Sequence, residues 1–305
     1  MRHFLCISDC STEELNELLD LSSSLKKLYK SGGRDVCLAG KVLAMVFEKP
    51  SLRTRISFQV AMSDLGGSAI FIRPEDVGGI GKREPIKDMA RVLSRYVDGI
   101  MARTFEHNTV VELAKYATVP VINALTDLSH PCQAMADVLT IKEHLGRLTG
   151  VKVAFIGDGN NVARSLAFAV AKLGMKMNVA SPKGYELDWG TVEKANSIKA
   201  DSVSIGNDAV KAVAGADVVY TDTWVSMGQE NEKQARIKAF KGFQVNAELL
   251  KSAPTGIKIM HCLPAYRDYE ITDEVVESAN SIIFDQSENR LHFQRALVKK
   301  LMSPK

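Results

Sequence analysis

Short apolar runs separated by helix-period segments constrain this chain more than any other feature. One series lies at 41–47, 68–72, 98–102 and 119–122, with helical patterns at about 53–65, 84–96 and 107–117 between its members. A second series follows at 151–156, 176–180, 217–221, 257–260 and 281–284, again with helices between most of them. Runs that are apolar on both faces belong in a buried parallel sheet, because each crossover lays a helix on the sheet. A chain of 305 residues is too long for most single cores. The expected fold is therefore α/β, with two domains, each a parallel sheet flanked by helices. The stretch from Gly146 to Gly150 is the candidate boundary.

Local signals add detail. Ser11 with Glu14 three residues on forms a capping box, and Leu15, Leu18, Leu25 and Leu28 carry a helix to about Lys30. A longer helical segment, about 131–146, follows His130, and the last stretch, 286–302, is helical. That last helix has no evident partner in sequence; packing back on the first domain is one option.

Composition excludes several function classes. Net charge is +3 with no basic block, so nucleic acid is not an expected partner. The first twenty residues lack an apolar core, which argues against a secretory or transit peptide. No apolar stretch approaches the ~20 residues that span a bilayer, so no membrane association is expected. Cys6, Cys10, Cys37, Cys132 and Cys262 are odd in number and form no C-x-x-C pair. A disulfide scaffold or structural zinc is not expected, and a reducing cytoplasm is the natural location.

Polar groups collect at strand ends. In "FEKPSLRTRISF", Pro50 stops an apolar run, and Ser51, Arg53, Thr54 and Arg55 crowd the start of a helix. Free backbone N–H groups, the helix dipole, two guanidiniums and two hydroxyls would cradle a phosphate without a glycine-rich loop. The same residues would also suit a capped helix with solvated arginines. His130 and Gln133 bracket Pro131 at a helix start, and an imidazole and an amide there could both reach a carbonyl and its amino group. A histidine cap with a surface glutamine is the plainer alternative. Arg103 ends a strand, where a salt bridge would equally explain it.

The second half offers a partial dinucleotide fingerprint, "GDGNNV". Gly157 and Gly159 match, but Val162 holds the third position and no acidic residue follows about twenty residues on. Nicotinamide binding is rejected as the first choice; a nicotinamide-dependent oxidoreductase, the rival from another class, would have to use this turn. Asn160 and Asn161 could instead hold a carboxylate at the helix start. Asp222 lies just past a strand and could bind an amine or form an N-cap. The charged segment after Gly228 suits a mobile cover. Cys262 follows a strand in "HCLP", and Arg290 sits in what reads as the first turn of the last helix.

Taken in order, "SLRTR", "MARTFEH", "HPCQAMAD", "GDGNNVA", "DTWVSMG", "HCLP" and "ENR" resemble the transcarbamylase family over nearly the whole chain. "HCLP" and "SMG" resemble its ornithine-using branch; the aspartate branch typically shows "HPLP". The resemblance implies a carbamoyltransferase that moves the carbamoyl group of carbamoyl phosphate to the δ-amine of L-ornithine, giving citrulline and phosphate. It implies a carbamoyl phosphate-binding domain over 1–146, an ornithine-binding domain over 147–285, and a helix at 286–305 that returns to the first. Homotrimers or multiples of trimers are implied, with no metal and no organic cofactor.

By match, Ser51, Leu52 through its backbone, Arg53 and Thr54 would hold the phosphate. Arg103, His130, Pro131, Cys132 and Gln133 would hold the carbamoyl end. Asn161, Asp222, Ser226 and Met227 would hold the amino acid. Cys262, Leu263 and Arg290 would line the reaction centre, with Arg103, His130 and Cys262 as the catalytic set. A sister enzyme acting on putrescine or an acylated ornithine is the alternative. Three positions depart from the family pattern. Leu52 stands where many relatives have Thr, and Tyr266 where His is common. Gly79 replaces a glutamine that reaches a neighbouring subunit's carbamoyl phosphate; Lys82 or Arg83 is expected to reach across instead.

Overall fold

The run "VLAMVF" becomes β1 (Val42–Phe47), of which all but the first residue is buried. It lies at the heart of the first of two units into which the chain divides. That unit comprises Met1–Leu139 with the segment from Asn289 onward; the second comprises Thr140–Glu288. The computed structural model describes residues 1–303. Residues 304 and 305, which the sequence reading places in the returning helix, lie outside the described residues.

In the first unit, β1 is flanked by β2 (Ser68–Ile72) and β3 (Gly99–Arg103), and β4 (Val121–Leu125) follows in the order β2-β1-β3-β4. Every pairing is parallel. The sheet order reverses between β1 and β3, and register sets Phe47 beside Arg103 at their carboxyl ends. Helices Leu52–Asp64, Ile86–Tyr96, His107–Tyr116 and Pro131–Leu145 supply crossovers and cover. One face is sealed by Ala44, Val46, Ile100, Ala102, Val110, Leu113 and Val121. Ser11 caps the helix Thr12–Lys30 in a complete capping box with Glu14.

The last helix, Ile283–Met302, packs into this unit from Asn289 onward. Phe293, Ala296, Leu297 and Val298 are fully buried, and burying each larger side chain stabilises by about 1.5–3 kcal/mol. Phe293 meets Phe4 with ring centroids 5.8 Å apart. Arg295 pairs with Asp64, and Lys26 Nζ donates to Asn289 Oδ1 at 2.8 Å. A Cβ on Gly99 would lie 2.9 Å from the Met302 sulfur, so glycine there lets the helix end approach β3.

The second unit has five parallel strands: β5 (Lys152–Ile156), β6 (Lys176–Ala180), β7 (Val203–Gly206), β8 (Val218–Thr221) and β9 (Lys258–His261). Their order is β7-β6-β5-β8-β9, so it reverses between β5 and β8. Ligands of open parallel sheets collect where the order reverses, outside the carboxyl ends of the strands. Each unit has one such place.

The expected α/β class and the helix packed back on the first unit are both observed. Three local expectations need correction. The run at 281–284 is not a strand: Ser281 makes one isolated bridge to Ile259, and the helix starts at Ile283. The apolar pair is too short to outlast the helical pattern that follows it. That earlier start puts Arg290 in the third turn of the helix, not the first. Strand β7 was not anticipated, since "VSIG" has two apolar residues in four and lies half-exposed at the sheet edge.

Candidate active site

In the first unit, Ser51 caps the helix that follows β1. Its extended backbone lets Oγ accept from the Thr54 N–H, and the hydroxyl donates to Thr54 Oγ1 at 3.0 Å. Thr54 is fully buried, and its Oγ1 also accepts from Arg290 Nη2 at 2.9 Å. The hydroxyls of Ser51 and Thr54 and the guanidinium of Arg290 thus form one hydrogen-bonded chain at a helix start. Leu52 turns its side chain to solvent, 74% exposed, which suits a residue that acts through its N–H. Arg53 is half-buried in the first turn. Arg55 stacks on the Phe71 ring at 4.0 Å.

Arg103 ends β3 and is 5% exposed; His130, just before Pro131, is 4% exposed. Burial holds the His130 imidazole well below its ordinary value, and the positive charges of Arg290 and then Arg103 push it the same way. The imidazole is therefore neutral at pH 7, with two guanidiniums near it. Gln133 donates from Nε2 to Asp137 Oδ1 at 2.7 Å. Its Oε1 is buried with no hydrogen-bond partner among the described residues. An orphaned buried acceptor costs about 1–3 kcal/mol, and a ligand amino group would satisfy it. Cys132 contributes no thiol chemistry: its Sγ donates to the Asn123 carbonyl, and burial pushes it up to about 12.

Lys49 belongs with this set and was missed in sequence. It is 8% exposed, lies over the Phe105 ring at 4.4 Å, and has no carboxylate within ion-pair distance among the described residues. Burial, then Arg103, lowers its pKa. A buried cation beside a second cation fits an anionic ligand. Between Glu48 and Pro50 it reads as surface charge, and only the fold reveals its burial.

In the second unit, Asn160 caps the helix Asn161–Lys172, its Oδ1 accepting from Val162 and Ala163 N–H. Its Nδ2 donates to Asp222 Oδ2 at 2.8 Å across the β5–β8 switch point. Cys262, just past β9, donates from Sγ to Asp222 Oδ1 at 3.0 Å. Asp222 and Cys262 are 6% and 9% exposed. Asn161 begins the same helix, while Ser226 is half-buried and Met227 exposed. The Ser226 N–H donates to Gln229 Oε1 at 3.2 Å. Leu263 takes a left-handed backbone, φ 56°.

The segment after Asp222 is tied down by a buried ion pair. Arg236 donates from Nη1 to Asp158 Oδ2 at 2.9 Å and to the Trp224 carbonyl at 3.1 Å. Burial pushes Asp158 up to about 6, with Arg236 pulling it back down. Gly159 is required beside it: a Cβ there would lie 2.2 Å from the Leu187 amide nitrogen.

Asp222, His261 and Cys262 have ligand atoms within 4.8 Å of one another, close enough for a metal ion. Their ligand atoms are already engaged in hydrogen bonds, one of them within the group. His261 Nδ1 accepts from Leu263 N–H, Nε2 meets Glu270, and the thiol is on Asp222. The cluster is closed by its own partners.

Comparison with known proteins decides the family. A profile described as the carbamoyl-P binding domain of aspartate/ornithine carbamoyltransferase matches residues 2–143, and one described as its Asp/Orn binding domain matches 149–301.

The chain belongs to the aspartate/ornithine carbamoyltransferase family.

Within this family, the chain is 51% identical over 304 residues to the anabolic ornithine carbamoyltransferase of Pyrococcus furiosus, covering 99% of this chain and 96% of that one. It is 52% identical over 304 residues to an ornithine carbamoyltransferase of Anoxybacillus flavithermus, with the same coverage. The solved structure of the Pyrococcus furiosus enzyme superposes with a TM-score of 0.97 at 50% identity, covering 100% of this chain and 98% of that one. That of Giardia lamblia ornithine transcarbamoylase superposes at 0.89 and 34% identity, covering 100% and 99%. Gly79 sits at φ 90°, and a Cβ there would lie 2.9 Å from the Lys82 side chain. A glutamine would be strained at that position.

Proposed function

We propose that this chain is an ornithine carbamoyltransferase: it transfers the carbamoyl group of carbamoyl phosphate to the δ-amine of L-ornithine, releasing citrulline and phosphate. The observation that carries the choice of acceptor is Asp222, a buried carboxylate between the Asn160 amide and the Cys262 thiol. Such a group attracts an ammonium and repels the second carboxylate of aspartate. Acylated ornithines lack the free α-ammonium that it would hold, and putrescine lacks the α-carboxylate assigned to Asn161. The relatives named ornithine carbamoyltransferase favour the same reading.

The first unit is assigned to carbamoyl phosphate and the second to ornithine. Ser51, the Leu52 N–H, Arg53 and Thr54 hold the phosphate, with Lys49 adding charge. Arg103, neutral His130 and the Thr54 hydroxyl donate to the carbonyl oxygen, where negative charge builds as the amine attacks. Losing one such donor costs about 3–4 kcal/mol of barrier. Gln133 Oε1 accepts from the carbamoyl amino group, and Arg290 orients Thr54. Asn161, Asp222, Ser226 and Met227 hold the amino acid, and Cys262 and Leu263 are assigned to the reaction centre.

A δ-amine resembles lysine, so deprotonating it at pH 7 costs roughly 4 kcal/mol. Desolvation and nearby cations lower that cost, and the leaving phosphate takes the proton, since the Cys262 thiol that donates to Asp222 already holds one. Carbamoyl phosphate binds first. Homotrimers or multiples of trimers and a cytoplasmic location complete the reading. Exposed Leu52, Ile56 and Ile70 on the first unit support an interface, and exposed Lys82 or Arg83 is assigned to a neighbouring subunit's ligand. Among the described residues no helix is long and apolar enough to cross a membrane.

The test is ureido product formed from carbamoyl phosphate with ornithine, putrescine, acetylornithine or aspartate. Ornithine should exceed every other acceptor in kcat/KM; a higher value for any of them would replace this reading.

A further inference from the structure

A cysteine next to a histidine invites a thiolate–imidazole pair. The hydrogen bonds around His261 exclude it. Nδ1 accepts the Leu263 N–H at 2.9 Å, so it carries no proton. The ring proton is on Nε2, which faces Glu270 Oε1 at 3.1 Å. Both ring nitrogens are engaged, and neither serves Cys262.

The same groups organise the turn that carries Cys262. Glu270 Oε1 accepts a second donor, the Tyr266 N–H, at 2.6 Å. The His261 N–H donates to Gln286 Oε1 at 2.9 Å. His261 is 0% exposed and Glu270 1%. Glu270 is itself fixed by its backbone, since its carbonyl accepts the Val245 N–H at 2.8 Å. The turn from 261 to 266 is therefore fastened at its start by Gln286, near its middle by Leu263 on the imidazole, and at its end by Tyr266 on the carboxylate. Cys262 lies between the first two fastenings, with Sγ 3.0 Å from Asp222 Oδ1.

We propose that His261 and Glu270 are positioning residues for carbamoyl transfer: the buried imidazole–carboxylate pair holds the 261–266 turn so that Cys262 Sγ stays on Asp222. This rests on the assignment of Cys262 to the reaction centre. The pair moves no proton to or from substrate. Its action is geometric, and displacement of a reacting group by about 1 Å can cost about 100-fold in rate.

Four variants separate the fastenings. Glu270→Ala removes the carboxylate, and Glu270→Gln keeps an oxygen that both donors can use. His261→Asn keeps an acceptor near the Nδ1 position and loses the link to Glu270. His261→Gln does the reverse. Each is read three ways: kcat and KM for both substrates, the rate at which methyl methanethiosulfonate labels Cys262 (followed by mass spectrometry of its peptide), and Tm. Glu270→Ala and both His261 variants should lose roughly 10- to 100-fold in kcat. KM for carbamoyl phosphate should stay within about 2-fold. Cys262 should label about 5-fold faster or more as Sγ leaves Asp222. Glu270→Gln should retain most of the activity.

A lower Tm with kcat and labelling unchanged would make the pair merely structural and overturn the proposal. If Glu270→Ala does not fold, His261→Asn gives the same three readings. Cys262→Ser distinguishes the premise from the inference. Wild-type turnover in that variant would remove Cys262 from the reaction and overturn the proposal through its premise, whereas unchanged labelling in His261→Asn would overturn it directly.

Discussion

Arg290 Nη2 lies 2.9 Å from the Thr54 hydroxyl oxygen, joining two buried residues 236 positions apart. The contact draws the last helix onto the helix start after β1. A hydrogen bond from a charged donor contributes about 1.5–3 kcal/mol. Thr54→Val and Arg290→Met should therefore each raise KM for carbamoyl phosphate roughly 10- to 100-fold. The double variant should lose less than the product of the two, because both remove one contact. Steady-state kinetics on the three proteins checks this; independent, multiplicative losses would contradict it.

His130 gives a pH prediction. Its folded pKa is depressed by burial, then by Arg290 and Arg103, below the ordinary 6.5. The unfolded chain therefore binds the proton first as pH falls. Stability is unaffected by this group above 6.5 and declines below it, by up to about 1.4 kcal/mol per pH unit until the folded imidazole titrates. Urea unfolding at pH 7.5, 6.5 and 5.5 should show that decline, and His130→Gln should flatten it.

Asp158 titrates in the opposite sense. Burial raises it to about 6 from 3.8, despite Arg236. The folded chain keeps a proton that the unfolded chain has lost. Its contribution to stability is full below 3.8 and is lost as pH rises through about 6. Carboxyl carbon NMR should show one aspartate with a midpoint near that value, missing in Asp158→Asn. A midpoint below 4 would mean that Arg236 outweighs burial.

Gly159→Ala tests the close approach beside Asn160. The new methyl would meet Leu187 backbone at 2.2 Å, and backbone cannot rotate away. Overpacking of this kind costs about 1–3 kcal/mol or more. Calorimetry should show a lower Tm. KM for ornithine should rise as well, since Asn160 holds Asp222.

Much of the fold was legible because its strands read as short apolar runs, although of the three that follow only β1 is buried on both faces, while the edge strand β2 has no buried residue and β6 alternates. Runs at 41–47, 68–72 and 176–180 became β1, β2 and β6 within a residue at either end. β7 was not legible, because an edge strand needs few apolar residues. The run at 281–284 misled, because two isoleucines after a turn suit a strand or a helix start equally. Ser51 and Pro131 marked real helix starts, as cap and first-turn residues should. Lys49 had no signal in one dimension. Nor did the Thr54–Arg290 bond, since nothing in "ENR" reveals which helix start lies opposite.

The last helix also has a consequence for how the chain comes off the ribosome. Phe293, Leu297 and Val298 fill the interior of the first unit, yet they are translated after every residue of the second. The amino-terminal sheet waits, with apolar surface uncovered, while residues 140–288 emerge and can complete their own core. Vectorial synthesis here finishes the later-made unit first, and the nascent first unit is the natural client for a chaperone.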